Sequence, residues 1–161
     1  MALKQISIFL ENRAGQLAEI TSILAENNID LRALHISETA DYGVLRLITS
    51  QWEQAEEILR AQNVLVSTSE VISASVPDKP GGLSSLLSVL AKENVDISYM
   101  YSVFGKANGG ANMVFKVNDV DGVEKMLVVN GFEINTMDYG EKICRNSAEK
   151  TNYLPIRLFA E

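Results

Sequence analysis

Between residues 4 and 71 the spacing of apolar positions changes period several times. Lys4–Leu10 alternates weakly and is rich in β-formers, which predicts a strand. Leu17, Ile20, Ile23 and Leu24 then share one helical face, predicting a helix from about Gly15 to Asn27. Ile29–Ser37 reads as a second strand, Glu38–Tyr42 as a hairpin loop and Val44–Thr49 as a third strand. Ser50 and Glu53 stand at capping-box spacing, opening a helix with Ala55, Ile58 and Leu59 inward. Val64–Val71 closes the series as a fourth strand, and the order is βαββαβ.

The series then begins again. Residues 6–36 return without a gap as residues 72–102, with nine of the thirty-one positions identical: Ile6/Ile72, Ser7/Ser73, Gly15/Gly81, Leu17/Leu83, Ser22/Ser88, Leu24/Leu90, Ala25/Ala91, Asn28/Asn94 and Asp30/Asp96. In the second copy Ile72–Val76 is a strand and Gly81–Lys92 a helix with Leu83, Leu86, Leu87 and Leu90 inward. Val95–Phe104 and Ala111–Val117 are strands, Asn118 or Asp119 starts a helix, and Phe132–Tyr139 is the last strand. Beyond the hairpin the offset grows from 66 to 68, which places two extra residues in the Phe104–Gly110 loop, where insertions cost little.

A period near 66 is too long for a solenoid unit and suits a small domain used twice. The expected architecture is α+β: two ferredoxin-like βαββαβ units, each an antiparallel sheet with both helices on one face, packed as a pseudo-twofold pair. The expected limits are 1–71 and 72–139, with 140–161 a tail that matches neither copy. Strand four of the first copy runs through Val71 into strand one of the second, so continuous pairing across the two sheets is expected to cover their edges.

Composition narrows the function. Net charge −7 argues against nonspecific binding to nucleic acid or an anionic membrane, either of which needs a clustered positive field. No stretch approaches ~20 consecutive apolar residues and no signal sequence is evident, so the chain reads as cytoplasmic. One cysteine and one histidine leave no disulfide and no soft-metal cluster, and no cofactor loop appears. Cys144 has no evident base, and Gly105, Gly109 and Gly110 lack the strand-to-helix context of a phosphate loop. Catalytic residues are therefore expected to be none. His35 is expected to be structural, and its counterpart Tyr101, with Tyr99, marks a strand face that lines a pocket or a domain interface.

The turn after strand one carries the candidate chemistry. It reads Asn12-Arg13-Ala14-Gly15-Gln16-Leu17 in one copy and Asp78-Lys79-Pro80-Gly81-Gly82-Leu83 in the other. Asn or Asp is expected to cap the incoming helix. Glycine lets a ligand approach the backbone, so a larger residue at Gly82 is expected to obstruct a ligand while the helix tolerates it. Free N–H groups at the helix start favour a carboxylate and the capping acid an ammonium group, the two ends of an α-amino acid. A plain helix cap used twice is the simpler alternative reading of the loop.

This loop, the element order, and the strand openings Asn28-Ile29-Asp30-Leu31 and Asn94-Val95-Asp96-Ile97 resemble the ACT domain family over about residues 3–139. The resemblance implies regulation by a small ligand, typically an amino acid, bound against the Gly-containing loop. Carried over position by position, the implied ligand-binding residues are Asn12, Ala14, Gly15, Gln16 and Leu17, and Asp78, Pro80, Gly81, Gly82 and Leu83. The first loop departs from the pattern at Asn12 and Ala14, so the two sites need not be equivalent. The leading expectation is a non-catalytic, amino-acid-binding regulatory protein of amino-acid metabolism, forming a homodimer. The alternative is a regulatory subunit acting mainly by contact with a metabolic enzyme.

Overall fold

The computed structural model describes residues 2–11, 13–38, 42–103 and 110–136. In chain order the elements are β1 (Leu3–Glu11), α1 (Gln16–Glu26), β2 (Ala33–Glu38), β3 (Tyr42–Ile48), α2 (Trp52–Ala61) and β4 (Val66–Pro77), then α3 (Gly82–Lys92), β5 (Tyr99–Val103), β6 (Gly110–Lys116), α4 (Val120–Val129) and β7 (Glu133–Ile134). The hairpin insertion expected in Phe104–Gly110, the end of the last strand and residues 140–161 with Cys144 lie wholly or largely outside the described residues.

The twelve-residue β4 serves both units. Its first half pairs antiparallel with β1, from Leu3↔Val71 to Ile8↔Val66. Its second half pairs with β6, from Ile72↔Phe115 to Pro77↔Gly110, and with β7 at Ala74↔Ile134. The result is a single antiparallel sheet in the order β2-β3-β1-β4-β6-β5, with β7 also on β4. The expected seam across the two repeats is thus a pair of shared backbone ladders rather than a loose contact.

Alternation along the strands sorts the residues into three cores. Ile6, Ile8, Leu45, Leu47 and Val66 face α1 and α2, where Ile20, Leu24, Ala55 and Leu59 complete the first core. Ile72, Ala74 and Phe115 face α3 and α4, meeting Leu86, Leu90, Val123 and Leu127. A third cluster, Leu3, Ile48, Val71, Tyr101 and Val114, joins the helix-free faces of the two units. Each fully buried aliphatic side chain contributes ~1.5–3 kcal/mol, and this third cluster gives each small unit apolar burial it lacks alone.

The pseudo-twofold relation is visible residue by residue. Position 4 is equivalent to position 70, and Lys4 stands opposite Glu70 in the β1–β4 register, bridged at 2.9 Å. Position 35 is equivalent to position 101, and the His35 and Tyr101 rings stack with centroids 4.8 Å apart and planes 6° from parallel. Equivalent residues that touch each other must lie beside the axis.

The helix ends explain the repeated Asn28 and Asn94. Both have positive φ, 56° and 52°. In each case the asparagine N–H and the next N–H turn back onto the last helical turn: Asn28 to Ala25 and Ile29 to Leu24, Asn94 to Ala91 and Val95 to Leu90. This is the Schellman arrangement, with a residue that tolerates the left-handed region at its turn. Asn63 and Gly131 end α2 and α4 in the same way.

The structure corrects several local expectations. Segments 29–32 and 95–98 leave the helix turn before strand pairing begins, so β2 starts at Ala33 and β5 at Tyr99. Ser50 and Glu53 form no capping box, since Gln51 holds the N-cap position without a side-chain bond. Leu83 and Leu87 do not point inward and are 39% and 37% exposed. Leu86 and Leu90 are the buried leucines on the core side of α3, with Val89 packed partly against the same core. Asp119 does cap α4, accepting from the Gly122 N–H at 3.0 Å.

Candidate functional site

Both strand-to-helix turns fold alike at first. Arg13 N–H donates to Glu11 O at 2.8 Å, and Lys79 N–H to Pro77 O at 2.9 Å. Gly15 and Gly81 then take φ 88° at the N-cap positions, a left-handed conformation that favours glycine. Among the described residues no side chain caps either helix. The expected cap by Asp78 is therefore absent, because glycine occupies the cap position and Asp78 stands three residues before it; the cap expected of Asn12 falls on a residue outside the described ones.

The turns diverge one residue later. A Cβ on Gly82 would lie 2.0 Å from the Pro77 carbonyl oxygen, backbone against backbone, so Gly82 is required for close approach and a larger residue is not tolerated. The equivalent Gln16 carries a side chain whose Oε1 is buried without a donor among the described residues. Asn12 lies outside the described residues. Ala14, Gly15, Pro80 and Gly81 are exposed, as are Leu17 and Leu83 at the first turn of each helix.

Beside the second turn lies an open groove of about 530 Å³, lined by Ser75–Lys79, Ser85, Gly110 and Gly131–Glu133. Its size falls in the range of small-molecule sites, roughly 300–1,000 Å³. Asp78 is the one sequence-expected residue in its wall; Pro80, Gly81, Gly82 and Leu83 are not in it. Asp78, Lys79 and Glu133 give it both signs of charge. The Leu83 and Ser84 N–H groups at the adjacent helix start have no acceptor among the described residues.

The same place in the first unit is built differently. Ser75, Gly110 and Glu133 correspond to Phe9, Tyr42 and Leu65, and Phe9 and Tyr42 pack ring to ring at 6.1 Å. Lys79 and Ser85 correspond to Arg13 and Glu19, which form a two-pronged ion pair at 2.8 and 2.5 Å. That pair holds the Glu19 carboxyl below its usual range and the Arg13 guanidinium above its own. The charges of the first turn neutralise each other, whereas the second turn borders an open groove. Comparing the copies position by position would have flagged Ser75, Ser85 and Glu133, which motif reading alone passed over.

A second polar cluster lies where the helix-free faces meet. Gln5 is fully buried. Its amide donates to Tyr99 Oη at 2.7 Å and Ser7 Oγ at 3.2 Å, and its Oε1 accepts from Tyr101 Oη at 2.9 Å. The Arg46 guanidinium carbon lies 4.1 Å from the Tyr99 ring centre. Burial, then the field of Arg46, lowers the His35 pKa, while burial raises that of Tyr101. The face holding His35, Tyr99 and Tyr101 is thus an interface between the two units.

Two βαββαβ units sharing one sheet about a pseudo-axis, each with a glycine-started helix after its first strand, define a tandem ferredoxin-like protein. The family model for the ACT domain pair matches residues 1–142, and the chain belongs to that family. ACT domains are regulatory domains. A protein from Bacteroides thetaiotaomicron of known crystal structure is 38% identical, with TM-score 0.80 over 88% of this chain and 97% of that one. The aspartate kinase regulatory subunit from Thermus flavus, 13% identical, shares the fold with TM-score 0.59 over 79% of this chain and 89% of that one. The ligand-free regulatory subunit of the Thermus thermophilus aspartate kinase, also 13% identical, gives 0.53 over 92% and 93%. No curated protein matches the chain. Among the described residues no helix is long and apolar enough to cross a membrane.

Proposed function

We propose that the chain is a non-catalytic regulatory protein of amino-acid metabolism that binds a free amino acid in the groove beside Asp78 and Lys79. The observation that carries this reading is the contrast between the two turns: the positions that line the open groove in the second unit carry Phe9, Tyr42 and the paired Arg13 and Glu19 in the first. The ligand's carboxylate is held by Lys79, beside the start of α3, where the helix dipole favours negative charge. Its ammonium group is held by Asp78 and Glu133. Charge-assisted bonds of this kind contribute ~1.5–3 kcal/mol each. The second unit is the working site and the first turn is the structural copy. The protein acts in the cytoplasm as a homodimer.

A screen of thermal stability against the twenty amino acids tests this reading. One amino acid, or a few of related side chain, raises Tm in the wild type and fails to do so in Asp78→Ala. A protein that no amino acid stabilises, but that co-purifies with a metabolic enzyme, supports the second reading, a subunit acting by protein contact. The exposed Leu17, Leu83 and Leu87 on the helices favour that alternative as a contact surface.

A further inference from the structure

Arg46 on β3 has no carboxylate partner among the described residues. Lys4, Arg13, Arg32 and Arg60 each hold one, Glu70, Glu19, Asp30 and Glu56 respectively. Arg46 instead lies on the helix-free face of the first unit, in register between Ser7 on β1 and His35 on β2. Its Nη1 donates to Ser37 Oγ at 2.5 Å, and its Nε is buried with no acceptor. Nη2 likewise has no acceptor among the described residues, so most of the five guanidinium donors are bonded to no described side chain.

The hydroxyls round it are also left as donors. Gln5 directs both amide hydrogens outward, one to Ser7 Oγ and one to Tyr99 Oη, while Ser37 Oγ accepts from Arg46. Each hydroxyl has accepted one bond and keeps a proton for which no acceptor stands among the described residues. The one strong acceptor nearby, Gln5 Oε1, is taken by Tyr101. Ser7, Ser37, Arg46 and Tyr99 are all half-buried, so they are partly shielded from water and still reachable. A cation ringed by donors matches an acceptor-only anion.

We propose that Arg46, with Ser7, Ser37 and Tyr99, forms a binding site for a small carboxylate at the seam between the two units. A planar, singly charged carboxylate fits the guanidinium fork and neutralises it one for one. A phosphate dianion would leave excess negative charge in a chain already at −7. Because Arg46 belongs to the first unit and its Tyr99 cover to the second, the bound anion ties the units together. The site shares no residue with the groove at Asp78 and stands or falls apart from it.

The test titrates sodium acetate and, separately, inorganic phosphate into the protein at fixed ionic strength, with the arginine side chains labelled with ¹⁵N. The Arg46 Nε–Hε signal is expected to shift saturably with acetate, and Arg60→Gln and Asp78→Ala are expected to leave that titration unchanged. Tyr99→Phe, which keeps the ring and removes the hydroxyl, is expected to weaken acetate about fivefold. Arg46→Lys, read from the Ser37 backbone amide, is expected to weaken it about tenfold or more. Should Arg46→Lys not fold, Tyr99→Phe and the wild-type saturation decide. A linear wild-type response, equal affinity in Tyr99→Phe, or saturation by phosphate alone overturns the proposal. Loss of the signal in Asp78→Ala overturns it too, by assigning the anion to the groove.

Discussion

The turn at Glu11–Gln16 and the turn at Pro77–Gly82 descend from one pattern and begin with the same hydrogen bond, yet they end as different surfaces. The first carries Gln16 at its helix start and an Arg13–Glu19 pair across its mouth, with Phe9 and Tyr42 beside it. The second carries Gly82 pressed against Pro77 and leaves Asp78, Lys79 and Glu133 round an open groove. The fold is shared, so the difference lies in the side chains that line the outer end of each sheet. Duplication kept the frame and let the side chains at this place diverge.

The comparison first requires that the two units share one stability. Leu59 and Leu127 are equivalent and fully buried in separate cores. Leu59→Ala and Leu127→Ala are each expected to cost ~3–4 kcal/mol. Because β4 belongs to both sheets, each variant is expected to lower one common denaturation transition. Two transitions, with each variant moving only its own, would break the account of a joined pair.

Next in size is the packing contrast at the helix starts. Gly82→Ala places a Cβ on the Pro77 carbonyl and is expected to cost ~2–3 kcal/mol by urea denaturation. Gln16→Ala, at the equivalent position, is expected to cost less than ~1 kcal/mol. Equal losses at the two positions would mean that the two turns are held in the same way.

Much of the frame was legible before any coordinates. Nine identities between the copies, the two periods of the apolar residues and the continuity at Val71 specify the element order and the shared strand. Backbone geometry at the caps was not legible, because Asp-x-Pro-Gly is compatible with a cap at either the acid or the glycine. Asn28 and Asn94 read as motif residues, whereas their positive φ and the bonds at Ala25 and Ala91 make them helix stops. Leu83 and Leu87 carried the helical period but sit on the flank of α3, which spacing alone does not resolve. The groove escaped for a different reason. Its walls, Ser75, Gly110 and Glu133, come from three strands, and only pairing brings them together.

A smaller effect concerns the interface pair His35 and Tyr101. Burial and Arg46 hold the His35 pKa below its usual 6.5, so the unfolded chain takes up the proton more readily than the folded one. The stability this preserves is complete above pH 6.5 and falls as the pH drops from there through the lowered folded value. Denaturation at pH 7.5 and 5.5 is expected to show a loss in wild type that is smaller in His35→Phe. A loss of equal size in the variant would assign the acid sensitivity to other groups.

The smallest expected change in stability accompanies the largest expected change in function. Asp78 is exposed and caps nothing, so Asp78→Ala is expected to alter stability by no more than ~0.5 kcal/mol. The same substitution is expected to weaken amino-acid binding about tenfold or more, through loss of a charge-assisted bond. A large stability loss in this variant would mean that Asp78 is structural.

Calorimetric titration of the wild type with whichever amino acid raises its Tm tests the central claim most directly, because it reads affinity and stoichiometry together. The account predicts one site per chain, with binding lost or at least about tenfold weaker in Asp78→Ala and unchanged in Gln16→Ala. Two equivalent sites per chain, or wild-type affinity in Asp78→Ala, would contradict it.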